Sequence, residues 1–244
     1  EAAISSGWSP WVIDQFADVD TRLAAERVVK VNTVGGGFDK SELLSALSEL
    51  VTLTGPIPLV FGGGFESAPE LVAEIERYSP IYGCSLSVLR GLVDRPAVFE
   101  QLRHSSSFIF PETQYDRPDQ DFGWLCKRIG GAGGEHVRVV ASSVETRSDE
   151  YFQRHISGVS MSALLISDGA TVRICGLAEH LHWNPRDANL FRYEGAYRST
   201  RFSLSLLKKA EALGVHVASA FGIVGCFGID FITSCTEEIV LVDV

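Results

Sequence analysis

Apolar and polar positions along this chain keep two different rhythms, one before and one after residue 120. From Trp8 to Glu112, short apolar runs alternate with helix-length amphipathic ones, the βα rhythm of a parallel sheet covered by helices. "WSPWVID" and "ERVVKV" predict strands. "DKSELLSALSELVTL" predicts a helix capped by Asp39, with Leu43, Leu44, Leu47 and Leu50 in one stripe. "IPLVFGGGF" predicts a strand running into a glycine turn, "SAPELVAEIERY" a helix with Ser67 as cap and Pro69 in its first turn, and "RPAVFEQLRH" a short helix. From Trp124 onward the pattern is mostly strands: "WLCKRI", "HVRVV", "YFQRHI", "SMSALLIS", "TVRICGLAEHL", "FGIDFIT" and "EEIVLVDV". A single helix is expected around Arg201 to Leu213. Turns as short as Ser167-Asp168-Gly169 imply hairpins and an antiparallel sheet. The fold class is α/β plus α+β.

One of these strands carries chemistry. In "WLCKRI", Lys127 shares a face with Leu125 and Ile129, while Trp124 and Cys126 make the other face apolar. A lysine among such neighbours is costly to bury without an anionic partner. Directly downstream, Gly130, Gly131, Ala132, Gly133 and Gly134 expose backbone N–H groups with no side chains in the way, an arrangement that wraps phosphate oxygens. A flexible hairpin loop beside a snorkelling lysine is the plainer alternative. A dinucleotide fingerprint needs a helix after the loop, and "EHVRVV" is β-type; a Walker loop needs its lysine after the glycines.

The last two strands add a carboxylate pair. If their hairpin turns at Thr236-Glu237, Cys235 faces Glu238, and counting outward sets Asp230 opposite Asp243. Like charges so placed are destabilising, and a pair of this kind shares a proton or holds a cation. Two oxygen ligands on strands suit Mg²⁺, which completes its shell with water and nucleotide phosphates. The alternative is that one aspartate ends its strand at a solvated edge.

Composition narrows the partners. A formal net charge of -10 argues against nucleic acid or an anionic membrane as a main partner. The 45% hydrophobic content places the chain in the globular class, and its 244 residues allow one large domain or two to three lobes. Cys84, Cys126, Cys175, Cys226 and Cys235 lack CxxC spacing and read as reduced, buried small hydrophobes of a cytoplasmic protein. Neither a membrane span nor a secretion signal is expected. The chain opens on Glu1 and stops in a strand at Val244, so both ends are expected to be cut.

Taken in order, "DRPAVFEQLRHSSSFIFPET", "WLCKRIGGAGG", "YFQRHISGVSMSALLISDG", "GIDFI" and "IVLVDV" resemble the ATP-grasp superfamily, over nearly the whole chain. The resemblance implies an N-terminal Rossmann-like α/β domain (1–93), a small lobe (94–156) and a large antiparallel lobe (157–244) that grip ATP between them. It implies a ligase that joins a carboxylate to an amine through an acyl phosphate, with ATP and Mg²⁺, or Mn²⁺ in its place. Lys127 then resembles the family lysine on the α and β phosphates, and Gly130 to Gly134 the loop that closes over them. Gln153, Arg154, His155 and Ile156 resemble the segment that reads adenine, Arg95 stands near an earlier ATP-binding lysine, and Asp230 and Asp243 resemble the metal ligands. Ser160 departs from the acidic residue that many members use for ribose. The family's last metal strand runs on into Asn-Pro-Arg, which would follow Val244. The string "VFGGGFE...LVDRPAVFEQLR...FPET" resembles carboligases related to tyramine-glutamate ligase, of methanofuran- or methylofuran-type cofactor biosynthesis.

Substrate candidates gather in "GLAEHLHWNPRDANLFRYEGAYRSTR": Glu179, Arg192, Tyr193 and Arg198, with Arg192 the first choice for gripping a carboxylate bidentately and acting in catalysis. His180 and His182 alternate on one strand, and without a third ligand they read as structural histidines rather than a zinc site. The expected partners are a small amino acid, such as glutamate, and an amine; a homodimer is compatible with this. Two rival readings stay open: a catalytically weak nucleotide-binding regulatory module of the same fold, and a dinucleotide-dependent oxidoreductase.

Overall fold

A computed structural model describes residues 2–104, 108–120, 122–141, 145–181, 190–198, 202–234 and 236–244. The backbone divides into two units, Glu1–Tyr82 and Gly83–Val244. The division falls upstream of the 93/94 boundary expected from sequence, because the segment after Tyr82 buries Cys84 and Leu92 in the core of the second unit.

The first unit begins with α1 (Ala2–Ser5), followed by β1 (Trp11–Asp14), α2 (Val19–Ala24) and β2 (Arg27–Lys30), a βαβ step whose two strands pair in parallel. Asp18 starts α2 by accepting the Thr21 N–H at 2.8 Å. A two-rung ribbon, β3 (Thr33–Val34) and β4 (Gly37–Phe38), leads into α3 (Lys40–Thr54). Asp39 caps α3 through the Glu42 N–H at 2.9 Å. Its buried stripe is Leu43, Ala46, Leu47 and Leu50, with Leu44 half-buried at its margin. The expected strand at 57–65 is a single parallel bridge, Leu59 to Ile81. Pro56 and Pro58 lack the N–H groups that a ladder needs, and three glycines follow. Ser67 is not the cap of the next helix, α4 (Glu70–Ile75), where Pro69 holds the N-cap position without a side-chain bond.

The second unit opens with α5 (Leu86–Val93) and α6 (Arg95–Arg103). A four-stranded antiparallel sheet follows, built from β5 (Thr113–Gln114), β6 (Trp124–Arg128), β7 (Arg138–Val139) and β8 (Glu150–Arg154) in the order β5-β8-β6-β7. Trp124, Cys126, Val140 and Phe152 form its core. Buried Glu150 holds Arg138 through two bonds of 2.5 and 3.0 Å, and those bonds bring its carboxyl down to about 2.

A larger antiparallel sheet is built from β9 (Val159–Ser167), β10 (Val172–His180), β11 (Ala196–Tyr197), β12 (Gly225–Thr233) and β13 (Ile239–Asp243), in the order β11-β10-β9-β12-β13. One face is covered by α7 (Leu204–Phe221), which Ser203 caps through the Leu206 N–H at 3.0 Å. The helix runs well past Leu213. A Cβ on Gly214 would lie 2.2 Å from Leu165 Cδ2, so this glycine serves close helix–sheet packing. The stop is Gly222, in the left-handed conformation at φ 68°. The expected helix start at Arg201 lies outside the described residues.

Strand alternation then sorts the side chains. Met161, Ala163, Leu165, Ile229 and Phe231 face α7 and are fully buried, leaving Ser160, Ser162, Asp230 and Ile232 on the opposite face. Cys84 and Cys126 are buried, whereas Cys175 and Cys226 are exposed, contrary to the expectation of uniform burial; Cys226 pairs with Ile166 on the face that α7 does not cover, and Cys175 is the unpaired residue of a β-bulge in β10. Cys235 lies outside the described residues. Among the described residues, no helix is long and apolar enough to cross a membrane.

Candidate active site

Lys127 sits on a central strand of the smaller sheet, paired with Tyr151, and is only 7% exposed. Trp124 and Cys126 turn into that sheet's core, so Leu125 and Lys127 face a cavity of about 430 Å³. The glycine run shapes one wall. Gly133 and Gly134 line the cavity; Gly130, Gly131 and Ala132 do not. Gly134 has φ +76°, and a Cβ built on it would stand 1.8 Å from the Phe191 carbonyl oxygen. The Tyr193 N–H donates to the Gly133 carbonyl at 2.8 Å. The glycine turn and the 191–193 segment are thus laced backbone to backbone.

These two glycines make different demands. Gly133, at φ +69° with nothing within 4 Å, needs only the left-handed conformation, so Gly133→Ala is expected to cost about 1 kcal/mol. Gly134→Ala adds a clash with backbone atoms that cannot rotate away, and about 2–4 kcal/mol is expected. Denaturant unfolding of the two variants should resolve this difference, and equal losses would deny the lacing.

Asp230 and Asp243 are direct cross-strand partners, as counted from the sequence, but the route to that pairing differs. The rungs nearer the turn are Thr233–Ile239, Ile232–Val240 and Phe231–Leu241, one residue off the expected count, and a β-bulge between Asp230 and Phe231 absorbs the difference. The extra residue is Val242. Leu241 is fully buried on the helix-covered face, so uninterrupted alternation would turn Val242 to the cavity and Asp243 away from it. The bulge re-aims the strand, and Val242 and Asp243 both line the cavity beside Asp230.

The charges around this pair are unequal. Arg95, buried at 6% exposure, donates its Nε–H to Asp243, which also accepts the Val244 N–H at 2.8 Å. Burial opposes ionisation of Asp243, but Arg95, Lys127 and these hydrogen bonds outweigh it and hold the carboxyl below the usual range. Asp230 has less help. Burial, then the neighbouring Asp243 carboxylate, push it up to about 7 against the pull of Lys127 and Arg95, although 44% of its side chain still meets the cavity. Burial lowers the Lys127 ammonium, and Asp243 works against that shift.

Two hard oxygen donors, one of them destabilised by its neighbour, fit a divalent cation. Such a pair suits a cation that takes two carboxylates and keeps most of its shell for water and ligand oxygens, as Mg²⁺ does.

Gln153, Arg154, His155 and Ile156 also line the cavity, with Gln153 Nε2 donating to the Val242 carbonyl at 3.4 Å. Ser160 Oγ lies 3.0 Å from His180 Nδ1, and the His180 ring stands edge-on to Tyr193. His182 lies outside the described residues. Arg192 and Tyr193 line the cavity; Arg95, Glu179 and Arg198 do not. Arg95 lies behind Asp243. Glu179 alternates with Ala178 and His180, pairs with Tyr197 and bonds its hydroxyl, so it points to the other face of the sheet. This corrects its expected place among the substrate contacts. Sequence reasoning missed Ser162, which is paired with Asp230, and His136, which lines the cavity with an unpartnered, buried Nδ1. A histidine two residues past a glycine run was the one available signal for the latter.

Residues 93–244 match a family model described as an ATP-grasp domain. No curated protein matches the chain in sequence. Among solved structures, pyruvate carboxylase from Rhizobium etli is similar at 13% identity and a TM-score of 0.72, over 99% of this chain and 24% of its own. Biotin carboxylase from Campylobacter jejuni is similar at 11% identity and a TM-score of 0.71, over 99% of this chain and 60% of its own. N5-carboxyaminoimidazole ribonucleotide synthetase from Thermus thermophilus is similar at 15% identity and a TM-score of 0.67, over 99% of this chain and 66% of its own. The chain therefore spans from about a quarter to about two thirds of these proteins, and the likeness is one of fold.

Proposed function

The chain belongs to the ATP-grasp domain family, and from that premise we propose that it works as an ATP- and Mg²⁺-dependent ligase joining a carboxylate to an amine. The observation that carries this reading is the cavity itself: a buried lysine, a glycine turn and a facing aspartate pair line one space. In the reaction, an oxygen of the substrate carboxylate attacks the γ-phosphorus of ATP, the bond to the β-phosphate oxygen breaks, and ADP leaves. The amine nitrogen then attacks the acyl carbon, the bond to the phosphate oxygen breaks, phosphate departs, and the nitrogen gives up a proton to water.

None of these steps needs a nucleophile from the protein. Lys127 meets the charge of the phosphate chain from a buried strand position, where a fixed ammonium counts for most. The amides of Gly133 and Gly134 cover the phosphate oxygens, and Gln153 to Ile156 frame the base. Asp230 and Asp243 would hold Mg²⁺, which when bound supplies charge neutralisation to the phosphates. Arg192, on the segment tied to the glycine turn, lines the same cavity and would grip the substrate carboxylate. The acid is an amino acid such as glutamate, and a place in the synthesis of a one-carbon carrier cofactor fits the sequence resemblance.

A product-resolved assay tests the reading: MgATP with glutamate and an amine panel including tyramine should release ADP and phosphate and give an amide. Binding has its own signature. Asp230 is largely protonated below pH 7 and must lose that proton to hold a cation, so calorimetric affinity for MgADP is expected to fall by up to about tenfold per pH unit below 7. Absence of any MgADP binding between pH 6 and 8 overturns the proposal.

A further inference from the structure

In the run of small residues from Gly130 to Gly134, one glycine has no conformational reason to be there. Gly130, Gly133 and Gly134 take φ values of 68°, 69° and 76°, which side chains rarely adopt, whereas Gly131 lies outside that region. What Gly131 meets instead is a ring. A Cβ built on it would stand 2.4 Å from Cγ and Cδ2 of His136 and 2.6 Å from Nδ1, so the missing side chain is the seat of the imidazole. The backbone on either side is pinned. The Gly131 N–H donates to the Arg128 carbonyl at 3.1 Å, the Val137 N–H donates to the Gly134 carbonyl at 3.0 Å, and Arg138 pairs with Cys126. Seated in this way, His136 has its Nδ1 enclosed and without a hydrogen bond. Nε2 is not enclosed, and its edge is what His136 presents to the cavity it lines.

We propose that His136 is a nucleotide-binding residue whose Nε2–H donates to a phosphate oxygen, and that Gly131 is bare in order to aim it. The inference rests on the ATP-dependent reading above and adds a phosphate contact to it. The tautomer follows from burial. A hydrogen on Nδ1 would be a buried donor without an acceptor, so the neutral ring carries its hydrogen on Nε2. Burial, then Lys127, disfavour the charged ring and outweigh Asp243 and the Ala132 carbonyl, which act the other way; Arg128 adds to the side of Lys127. Charging the ring would also put the second hydrogen on Nδ1, the enclosed position. His136 thus serves as a donor rather than as an acid or base. A donor within the field of Lys127, on a wall shared with the glycine turn, finds its acceptor in an anion that the ammonium also holds. In the ligase reading that anion is the phosphate chain. The imidazole gives it a fixed direction, which a lysine acting as a point charge lacks.

Calorimetric titration with MgADP, with no acid or amine present, tests the contact. His136→Ala should weaken binding by about 10- to 100-fold, the effect of losing a hydrogen bond to a charged acceptor. His136→Gln, whose amide nitrogen can stand where Nε2 stood, should recover part of the loss. His136→Asn, whose amide reaches only the Nδ1 position, should recover none. Magnesium tripolyphosphate, which has no nucleoside, should displace MgADP from wild type and should itself bind more weakly to His136→Ala; an effect confined to MgADP overturns the phosphate contact. The seat has its own test. Gly131→Ala should match the affinity loss of His136→Ala, and the double variant should lose no more than either alone. In urea, Gly131→Ala should lower the unfolding midpoint of wild type and not that of His136→Ala, and additive losses would overturn the seat. As a readout that needs no nucleotide, the nitrogen NMR shifts of the ring at neutral pH should place its hydrogen on Nε2. Unchanged MgADP affinity in His136→Ala, rescue by Asn rather than Gln, or a hydrogen on Nδ1 overturns the assignment while leaving the ligase reading intact. A wild type that binds no MgADP overturns both.

Discussion

Lys127→Ala should abolish ADP release, by at least about a thousandfold, and leave the protein folded. With no protein nucleophile in the proposed reaction, rate comes from positioning and charge, and this ammonium is held by a central strand at 7% exposure, where few rotamers are open to it. Folding should tolerate the change. Burial already disfavours the charged form of Lys127, so removing it relieves a desolvation cost about as it forfeits attraction to the aspartates. Far-UV circular dichroism and a thermal melt check the fold, and a coupled assay checks turnover. Wild-type turnover in this variant would remove the lysine from the mechanism.

The two aspartates, alike in sequence, should respond in opposite ways to neutralisation. Asp243→Asn strands buried Arg95 and Lys127 with a weakened anionic partner, and a loss of about 3 kcal/mol is expected. Asp230→Asn removes the less comfortable of two facing charges, so stability near pH 8 should hold or rise. Asp230 is raised from 3.8 to about 7, and the folded state keeps its proton where the unfolded chain has lost it. Its contribution to stability is therefore full below pH 3.8 and is lost as pH rises toward 7; Asp230→Asn should remove that slope. Both variants should lose nucleotide-dependent activity by at least about a hundredfold. Urea unfolding at pH 5 and pH 8 separates them, and equal destabilisation would show that Arg95 does not favour one carboxylate.

What could be seen in the sequence was what alternation decides. A lysine in an apolar strand needs only a period of two, and Ser162 was within reach of the same count although it was missed. The aspartate pairing was also legible, though by a count that was one rung off. The hairpin turn spans Ser234 to Glu238, with Glu237 at φ 56°, and this longer loop cannot be told from a two-residue turn by composition. Contacts between distant segments were out of reach. Arg95 meets Asp243 across 148 positions, and no local pattern announces that Gly134 backs onto Phe191. Glu179 was misplaced by being grouped with the charged residues of "GLAEHLHWNPRDANLFRYEGAYRSTR", although it lies within the expected strand "TVRICGLAEHL", whose faces part it from His180.

The extra residue at Val242 works as a slip joint between the hairpin tip and the carboxylates. It offsets the one-rung shift of the pairing nearer the tip, so the aim of Asp243 into the cavity is kept. Losing that one valine, a change that leaves every charged residue in place, would swing a carboxylate toward the helix-packed interior and dismantle the pair.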